Sequence, residues 1–204
     1  AVGVGAALSA NVIVNTTESL ISGSTVTDAA SLDVLSESSA IIRSLALNVG
    51  AGGVAVNLSV LGNLVTASTL ATIEDSSVTA DGDIVISARD LAPSVIPDWI
   101  VPAEYQGDLS SSLEDSPIGL EANILSVNVS VAGGGVAASG ALTGNLITNT
   151  LRAEINHADV TSSAGSVDLD ATNSSGIIAL TAGVGVSGSV ALNITGFGNA
   201  IVNT

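Results

Sequence analysis

Histidine and paired carboxylates are the residue types in this sequence that could carry out acid–base chemistry. The chain has a single histidine, His157, so any triad or general-base mechanism that needs an imidazole depends on it. When the internal repeats of the chain are aligned, Asp75 and Gly23 occupy the same place between two hydrophobic segments. A position that also accepts glycine is typical of a turn. We therefore predict that His157 is an exposed turn residue and that the chain is not an enzyme.

Closely spaced carboxylates are the candidate metal ligands, since the chain has no cysteine. Asp81 and Asp83 flank a glycine and could bind Ca²⁺ together with backbone oxygens. A calcium-binding repeat array would carry its acids in every unit, whereas the corresponding segment of a later unit reads Ala164-Gly165-Ser166. We expect no cofactor, with an isolated calcium site at Asp81 and Asp83 as the alternative.

Aromatic residues concentrated in one stretch are the candidate binding residues. Trp99 and Tyr105 are the only tryptophan and tyrosine of the chain, and they lie within residues 89–121 together with all four prolines. Acids such as Asp98 and Glu104 accompany them. Aromatic rings can stack on a sugar or anchor a protein contact, so these four residues form a candidate binding loop. The alternative is that the rings cover the side of the scaffold.

An internal repeat indicates which elements hold these residues. Four segments align without a gap on one asparagine, at Asn11, Asn63, Asn145 and Asn199. These asparagines are 52, 82 and 54 residues apart, so two intervals agree near 53 and the middle one contains an insertion. The insertion falls at 89–121. We predict one segment over 1–204, cut from a longer array of tandem units, with a lateral loop.

Each unit has the pattern of strands. Short alternating hydrophobic segments such as Ile84-Val85-Ile86 are bounded by glycine-rich turns, and no stretch has a helical period with a cap and a stop. With three aromatic residues in the chain, a thin core must be filled by small and aliphatic side chains. We predict a parallel β-helix, or β-solenoid, in which each unit of about 53 residues forms two rungs of about 26.

The recurrent asparagine has two interpretations in such an array. Stacked units would bring Asn11, Asn63, Asn145 and Asn199 into one column, where their amides could form an axial Asn stack. Alternatively, each asparagine occupies a turn with a permissive backbone.

The charge balance limits the partners. With three Arg, no Lys and a formal net charge of -16, the chain is not expected to bind nucleic acid or an anionic membrane surface. Two charge-free runs, 44–73 and 122–151, exceed the length of a membrane span, but they are rich in Asn, Ser, Thr and Gly. We therefore expect no membrane insertion of this segment.

Several strings of this sequence are similar to the repeats of very large bacterial surface proteins. Residues 15–27, 50–57 and 78–88 resemble the repeats of filamentous-haemagglutinin-like and leukotoxin-like adhesins. The resemblance covers nearly the whole chain except the insertion, and the family has no catalytic residues to transfer. It implies a right-handed parallel β-helix that acts as an extracellular stalk or filament on the bacterial cell surface.

These observations together predict a structural repeat segment of a large extracellular adhesin or filament, an elongated stalk for adhesion or cell–cell contact. Its expected partners are other copies or flanking repeats stacked end to end. One alternative is a module that binds a glycan, or a protein on a host or partner cell, through the Trp99 and Tyr105 insertion. The other is a polysaccharide-degrading β-helix enzyme, which would need a cluster of acidic and basic side chains on one face, and Lys is absent.

Overall fold

The computed structural model describes residues 1–95 and 121–204, which form ten β-strands and no helix. The described part of the chain is therefore all-β, as predicted. The strands are β1 (Val2–Ser22), β2 (Thr25–Ala29), β3 (Leu32–Ser38), β4 (Ile42–Glu74), β5 (Ser77–Ala80), β6 (Ile84–Asp90), β7 (Ile124–Asn156), β8 (Asp159–Ser162), β9 (Val167–Asn173) and β10 (Ile177–Asn203).

The ten strands pair in parallel within three sheets. The long strands form a sheet in the order β1-β4-β7-β10, and the short strands form two sheets in the orders β2-β5-β8 and β3-β6-β9. Equivalent strands of successive repeats are therefore neighbours. Each repeat of the sequence is a structural repeat.

The register of these sheets corrects one detail of the sequence prediction. Asn11 lies opposite Asn63, and Asn63 lies opposite Asn145. Residues of neighbouring layers are thus a whole repeat apart, 52 residues for the first pair. The prediction of two rungs of about 26 residues per unit is wrong, because one unit forms one layer with a long perimeter.

The long strands reverse direction in their middle. In β4, Asn48 Nδ2 donates a hydrogen bond of 3.0 Å to the carbonyl oxygen of Leu58, ten residues further on. Ten residues of straight strand would span about 33 Å, so the chain must double back. The reversal lies at residues 50–53, and the pairing continues through it, since Gly50 lies opposite Ala132 and Gly52 opposite Gly134. We call residues 50–53, 133–135 and 187–189 the glycine reversal.

Each layer therefore has two long faces. The first face consists of β1 and the later arms of the long strands, residues 54–74, 136–156 and 190–203. The second face consists of β3, β6 and β9 together with the earlier arms, residues 42–50, 124–132 and 177–187. The faces touch across a narrow interior, where Ser36 Oγ donates a 3.0 Å hydrogen bond to Thr17 O. The short sheet of β2, β5 and β8 joins them at the end opposite the glycine reversal.

The hydrophobic core is thin and concentrated near that short sheet. Aliphatic side chains such as Ile73, Val78 and Ile84 are fully buried there. A second cluster around Ile124 and Ile147 fills the middle of the layers. Towards the glycine reversal only alanines pack together, at Ala55, Ala132 and Ala137. Within the described residues no aromatic side chain is buried, as the composition predicted.

The insertion leaves the scaffold between two paired segments. Asp90 still lies opposite Ser38, and pairing resumes with Ile124 opposite Ile42, so the extra residues lie between Asp90 and Ile124. Because Arg89 and Asp90 belong to β6, the insertion begins about two residues later than the predicted 89. An isolated antiparallel bridge between Ser94 and Glu121 closes its base.

Candidate functional site

The sole histidine occupies a turn. His157 has a positive φ of 48°, and its repeat equivalents Asp75 and Gly23 have values of 47° and 56°. His157 is exposed and lies between β7 and β8, as the prediction of an exposed turn residue requires. Its backbone belongs to the left-handed region, which glycine adopts most easily.

The two acids proposed as calcium ligands, Asp81 and Asp83, lie in different surroundings. The carboxylate of Asp83 accepts hydrogen bonds from Ser166 in the neighbouring layer, at 2.8 Å from its backbone nitrogen and 3.2 Å from its hydroxyl. Asp81 is exposed at the surface. Across residues 1–95 and 121–204, no group of three or more His, Asp or Glu side chains is placed to hold a metal ion.

The candidate binding loop lies outside the described residues, since Asp98, Trp99, Glu104 and Tyr105 all fall within 96–120. Its base is held firmly by one buried residue. Asn123 donates hydrogen bonds to Ala40 O at 3.0 Å and to Leu91 O at 3.2 Å, and its side-chain oxygen accepts from Gly176 N at 3.0 Å. The loop therefore starts from a fixed point on the second face.

A buried carboxylate that the sequence did not indicate lies beside this base. Asp90 is 2% exposed, and its Oδ2 accepts hydrogen bonds of 2.6 Å from Asn149 Nδ2 and from Ser175 Oγ. Asn149 lies on the first face and Ser175 in the next layer, so Asp90 links the two faces and two layers. A lone acid in an alternating strand carries no signal that its side chain faces inward.

The repeat asparagines form a continuous row of hydrogen bonds through all four layers. Each amide nitrogen donates to the side-chain oxygen of the next asparagine, with distances of 2.8 Å from Asn11 to Asn63, 2.7 Å from Asn63 to Asn145 and 2.8 Å from Asn145 to Asn199. The second amide hydrogens of Asn63 and Asn145 cross the interior to Ser44 Oγ and Ser126 Oγ, at 3.0 Å and 3.1 Å. The row thus joins neighbouring layers, and its second amide hydrogens join the first face to the second face.

Polar side chains fill the interior around this row. Residues that point inward between the row and the glycine reversal are almost fully buried, among them Asn57, Ser59, Ser126, Asn128, Ser130 and Ser139. They connect the faces, as when Asn128 Nδ2 donates a 2.8 Å hydrogen bond to Leu142 O. Ser139 Oγ donates likewise to Ser130 O at 3.2 Å. Hydrogen bonds thus join the two faces in this part of the interior, although Ser59 Oγ and Ser130 Oγ are buried without a partner.

Aliphatic side chains cover the outside of the same region. Val56 and Leu58 are 43% and 46% exposed, although β4 has a neighbouring strand on each side there. Leu142 and Leu146 of β7 point outward in the same way. Val129 and its alternate neighbours do so on the second face, where they are half-buried by adjacent strands. The usual arrangement of a protein in water, apolar inside and polar outside, is inverted here.

Charged residues are segregated from this region. No Asp, Glu, Lys, Arg or His occurs in residues 1–17, 44–73, 122–151 or 171–204, which we call the charge-free half. The described charged side chains lie around the short sheet and at the base of the insertion. Arg43 stands at the boundary, where partial burial lowers the pKa of its guanidinium by desolvation.

A shallow apolar groove runs across the four layers on the first face. It has a volume of about 530 Å³ and follows a column of small residues, Ala10, Gly62, Gly144 and Gly198, between rows of larger aliphatic side chains. The groove lies wholly within the charge-free half. Its floor is the backbone beside the asparagine row.

The inversion has a partial signal in the sequence. In Val54-Ala-Val-Asn-Leu-Ser-Val-Leu-Gly-Asn63, polar or small residues alternate with aliphatic ones. Alternation predicts a strand with two different faces, but it does not say which face is covered. From the sequence alone, the Asn and Ser of these runs counted only as evidence against a membrane span, and the structure turns them inward.

Among the described residues, no helix is long and apolar enough to cross a membrane. Comparison of the chain with protein families, with curated proteins and with solved structures finds no match.

Proposed function

We propose that this chain is a non-enzymatic structural segment of an extracellular bacterial adhesin or filament, built as a right-handed β-solenoid. The observation that supports it best is the in-register parallel stacking of whole repeats, with Asn11, Asn63, Asn145 and Asn199 in one hydrogen-bonded row. Such stacking lets a scaffold lengthen by adding layers, each of which contacts only its neighbours. The handedness and the cell-surface location rest on the resemblance to adhesin repeats.

The edges of the long sheet are the expected contact sites. β1 pairs with β4 and β10 pairs with β7, so within the described residues each outer strand has one edge without a strand beside it. Such an edge can add a strand from another copy or from a flanking repeat. We therefore expect end-to-end association along the stacking direction.

A proline at the free edge of β10 tests this association. Thr204 N donates to Asn149 O, and Leu151 N donates to Thr204 O, so the backbone of Thr204 faces β7. Donors alternate between the two sides of a strand, which makes the N–H of Ala191 point away from β7 and that of Leu192 point towards it. Ala191→Pro should block stacking without breaking the existing ladder, while Leu192→Pro is the control that breaks the ladder.

Sedimentation velocity and electron microscopy give the result. We expect the unmodified chain to form rods that lengthen with concentration, and Ala191→Pro to remain short with an unchanged circular dichroism spectrum. The proposal would be contradicted if the unmodified chain stayed monomeric at every concentration. It would also be contradicted if Ala191→Pro formed rods equally well.

The fixed base of the insertion favours one second candidate, a binding module for a glycan or a protein. Functional loops commonly extend from rigid scaffolds, and Asn123 anchors this one between two layers. Glycan arrays probed with the chain and with a variant that lacks residues 96–120 test it. Binding that survives the deletion unchanged would exclude the loop as the binding site.

A further inference from the structure

We propose that the charge-free half inserts into the hydrocarbon region of an electrically neutral lipid bilayer, with the glycine reversal leading. The inverted arrangement of side chains is the starting observation. Asn57 and Ser59 are buried at 2% and 0% exposure, whereas the alternating Val56 and Leu58 face outward at 43% and 46%. Large continuous apolar surfaces mark sites of interaction, and here the surface includes both faces of the layers.

The narrow gap between the faces accounts for the polar side chains inside. It does not account for the aliphatic side chains outside. Near the glycine reversal alanine and polar side chains predominate in the interior, as the cluster of Ala55, Ala132 and Ala137 indicates, although Leu61 is also buried on this side of the row. Hydrogen bonds such as Asn48 to Leu58 O then join the faces. Nothing in this packing requires Val or Leu on the outside, where Ser or Thr would serve equally well in water.

The backbone of the two inner strands, β4 and β7, meets the strictest requirement for contact with lipid. Inside a bilayer each peptide N–H and C=O needs a partner within the protein. The outer edges of β1 and β10 gain theirs when copies stack, so the inference rests on the proposed function. Residues 54–74 of β4 pair with β1 on one side and β7 on the other, and β7 pairs with both β4 and β10. The pairing continues around the glycine reversal, with Ala51 opposite Gly133, so the leading edge is part of the ladder rather than a loose loop.

The depth of the apolar surface suits a bilayer. On the first face of β7, outward aliphatic residues extend from Val136 to Leu146, a distance of about 33 Å at the rise of a strand. On the second face they extend from Val131 back to Leu125, about 20 Å. The hydrocarbon region of a bilayer is about 30 Å thick, so this half can pass the midplane while all charged side chains stay outside.

Lipid explains the surface better than a second copy of the chain does. A copy packed on the first face would leave the second face and the glycine reversal uncovered, whereas a fluid apolar medium covers all three. The net charge of -16 repels anionic lipids, which makes neutral lipid the expected partner. The expectation of no membrane insertion rested on the Asn, Ser and Thr content of the charge-free runs, and in the structure the Asn and Ser between the row and the glycine reversal face inward.

Single cysteines can report insertion directly, because the chain has no cysteine of its own. An environment-sensitive dye would be attached to Leu58→Cys on the first face, Val129→Cys on the second face, or Leu35→Cys in the charged part. Leu35 is a matched control, since it is an outward leucine with 55% exposure against 46% for Leu58. Phosphatidylcholine vesicles should shift the emission of the first two dyes to the blue and leave the third unchanged.

A charge placed on the outside tests the energetics of the same step. Leu58→Lys should lower co-flotation with phosphatidylcholine vesicles by at least about tenfold, because a cation in the hydrocarbon region is strongly unfavourable. Leu35→Lys adds the same charge and should bind like the unmodified chain. Circular dichroism and the midpoint of thermal unfolding verify that both variants are folded.

Three results would overturn the inference: neither dye shifts with vesicles, the dye at Leu58 shifts with rising protein concentration in the absence of lipid, or Leu58→Lys floats as well as Leu35→Lys. The second result would assign the surface to another copy of the chain. Sedimentation without lipid separates this inference from the proposed function, because rods that form normally while neither dye shifts with vesicles would refute insertion alone. Ala191→Pro, which leaves the edge of β10 unpaired, should float less than the unmodified chain.

Discussion

Removal of one asparagine from the middle of the hydrogen-bonded row tests how much the row stabilises the stack. Asn63 donates to Asn145 at 2.7 Å and to Ser44 at 3.0 Å, and it accepts from Asn11 at 2.8 Å. Asn63→Ala removes all three bonds and leaves the side-chain oxygen of Asn145 without its donor. Each bond contributes about 1 kcal/mol, and an orphaned buried group costs about 1 to 3 kcal/mol.

The free energy of unfolding should therefore fall by about 4 to 6 kcal/mol in Asn63→Ala. At a urea dependence of about 2 to 3 kcal/mol per molar, the unfolding midpoint falls by at least about 1 M. Asn11→Ala at the end of the row removes one bond and leaves the Asn63 oxygen without its donor, so it should cost about 2 to 4 kcal/mol. Urea titrations followed by circular dichroism at a fixed protein concentration measure both midpoints, which keeps any self-association constant.

Thr66→Ala is the matched control, since Thr66 lies on the same strand with its side chain facing outward. We expect its midpoint to stay close to that of the unmodified chain. If Asn63→Ala lowers the midpoint no more than Thr66→Ala, the row does not hold the layers together. If Asn63→Ala and Asn11→Ala have equal effects, the stabilisation does not come from the number of bonds lost.

Three further predictions concern the turns and the insertion. Gly134→Ala should destabilise the chain by about 1 to 3 kcal/mol, because its Cβ would overlap the carbonyl oxygen of Gly52, while Gly133→Ala, which faces open space, should be nearly neutral in urea titration. His157→Gly should raise the midpoint of thermal unfolding by a few degrees, because it relieves a positive φ at an exposed position, and an unchanged midpoint would refute this. Replacement of residues 91–123 by Ser-Ser-Gly, the sequence of the shorter link at 174–176, should preserve the β-sheet spectrum, since the ladders on either side have the same spacing without the insertion. Loss of that spectrum would mean that the insertion is part of the scaffold.

Much of the fold could be predicted because the sequence repeats itself. Recurrence of the Asn11 motif without gaps fixed which residues lie side by side, and the turn at His157 followed from its replacement by Gly23. The number of layers per unit could not be predicted, because the reversal at residues 50–53 resembles any glycine-rich turn. The pairing of Asn11 with Asn63, a whole repeat apart, and the contact of Asn48 with Leu58 show that a single layer takes the whole repeat.

The candidate sites were predictable to different degrees. Residues such as Asp81 and His157 could be assigned to turns by aligning the repeats, since the equivalent residues in other repeats lack the functional group. Asp90 could not, because its role depends on Asn149 and Ser175 in other strands and layers. The outward aliphatic surface was also missed, because strand alternation is symmetric and only three-dimensional packing decides which side is covered.

The two halves of each layer show two ways to stabilise a β-scaffold. Near the short sheet, Ile73, Val78 and Ile84 exclude water, and charged residues cover the outside. Towards the glycine reversal, asparagine and serine bond across the interior beside alanines and the single buried Leu61. Hydrogen bonds to a buried amide are directional, which fixes the register of the layers. Because the interior there needs few apolar side chains, the Val and Leu of the outer positions are free to meet an apolar partner, and the Leu58 and Leu35 pair of variants asks whether that partner is lipid.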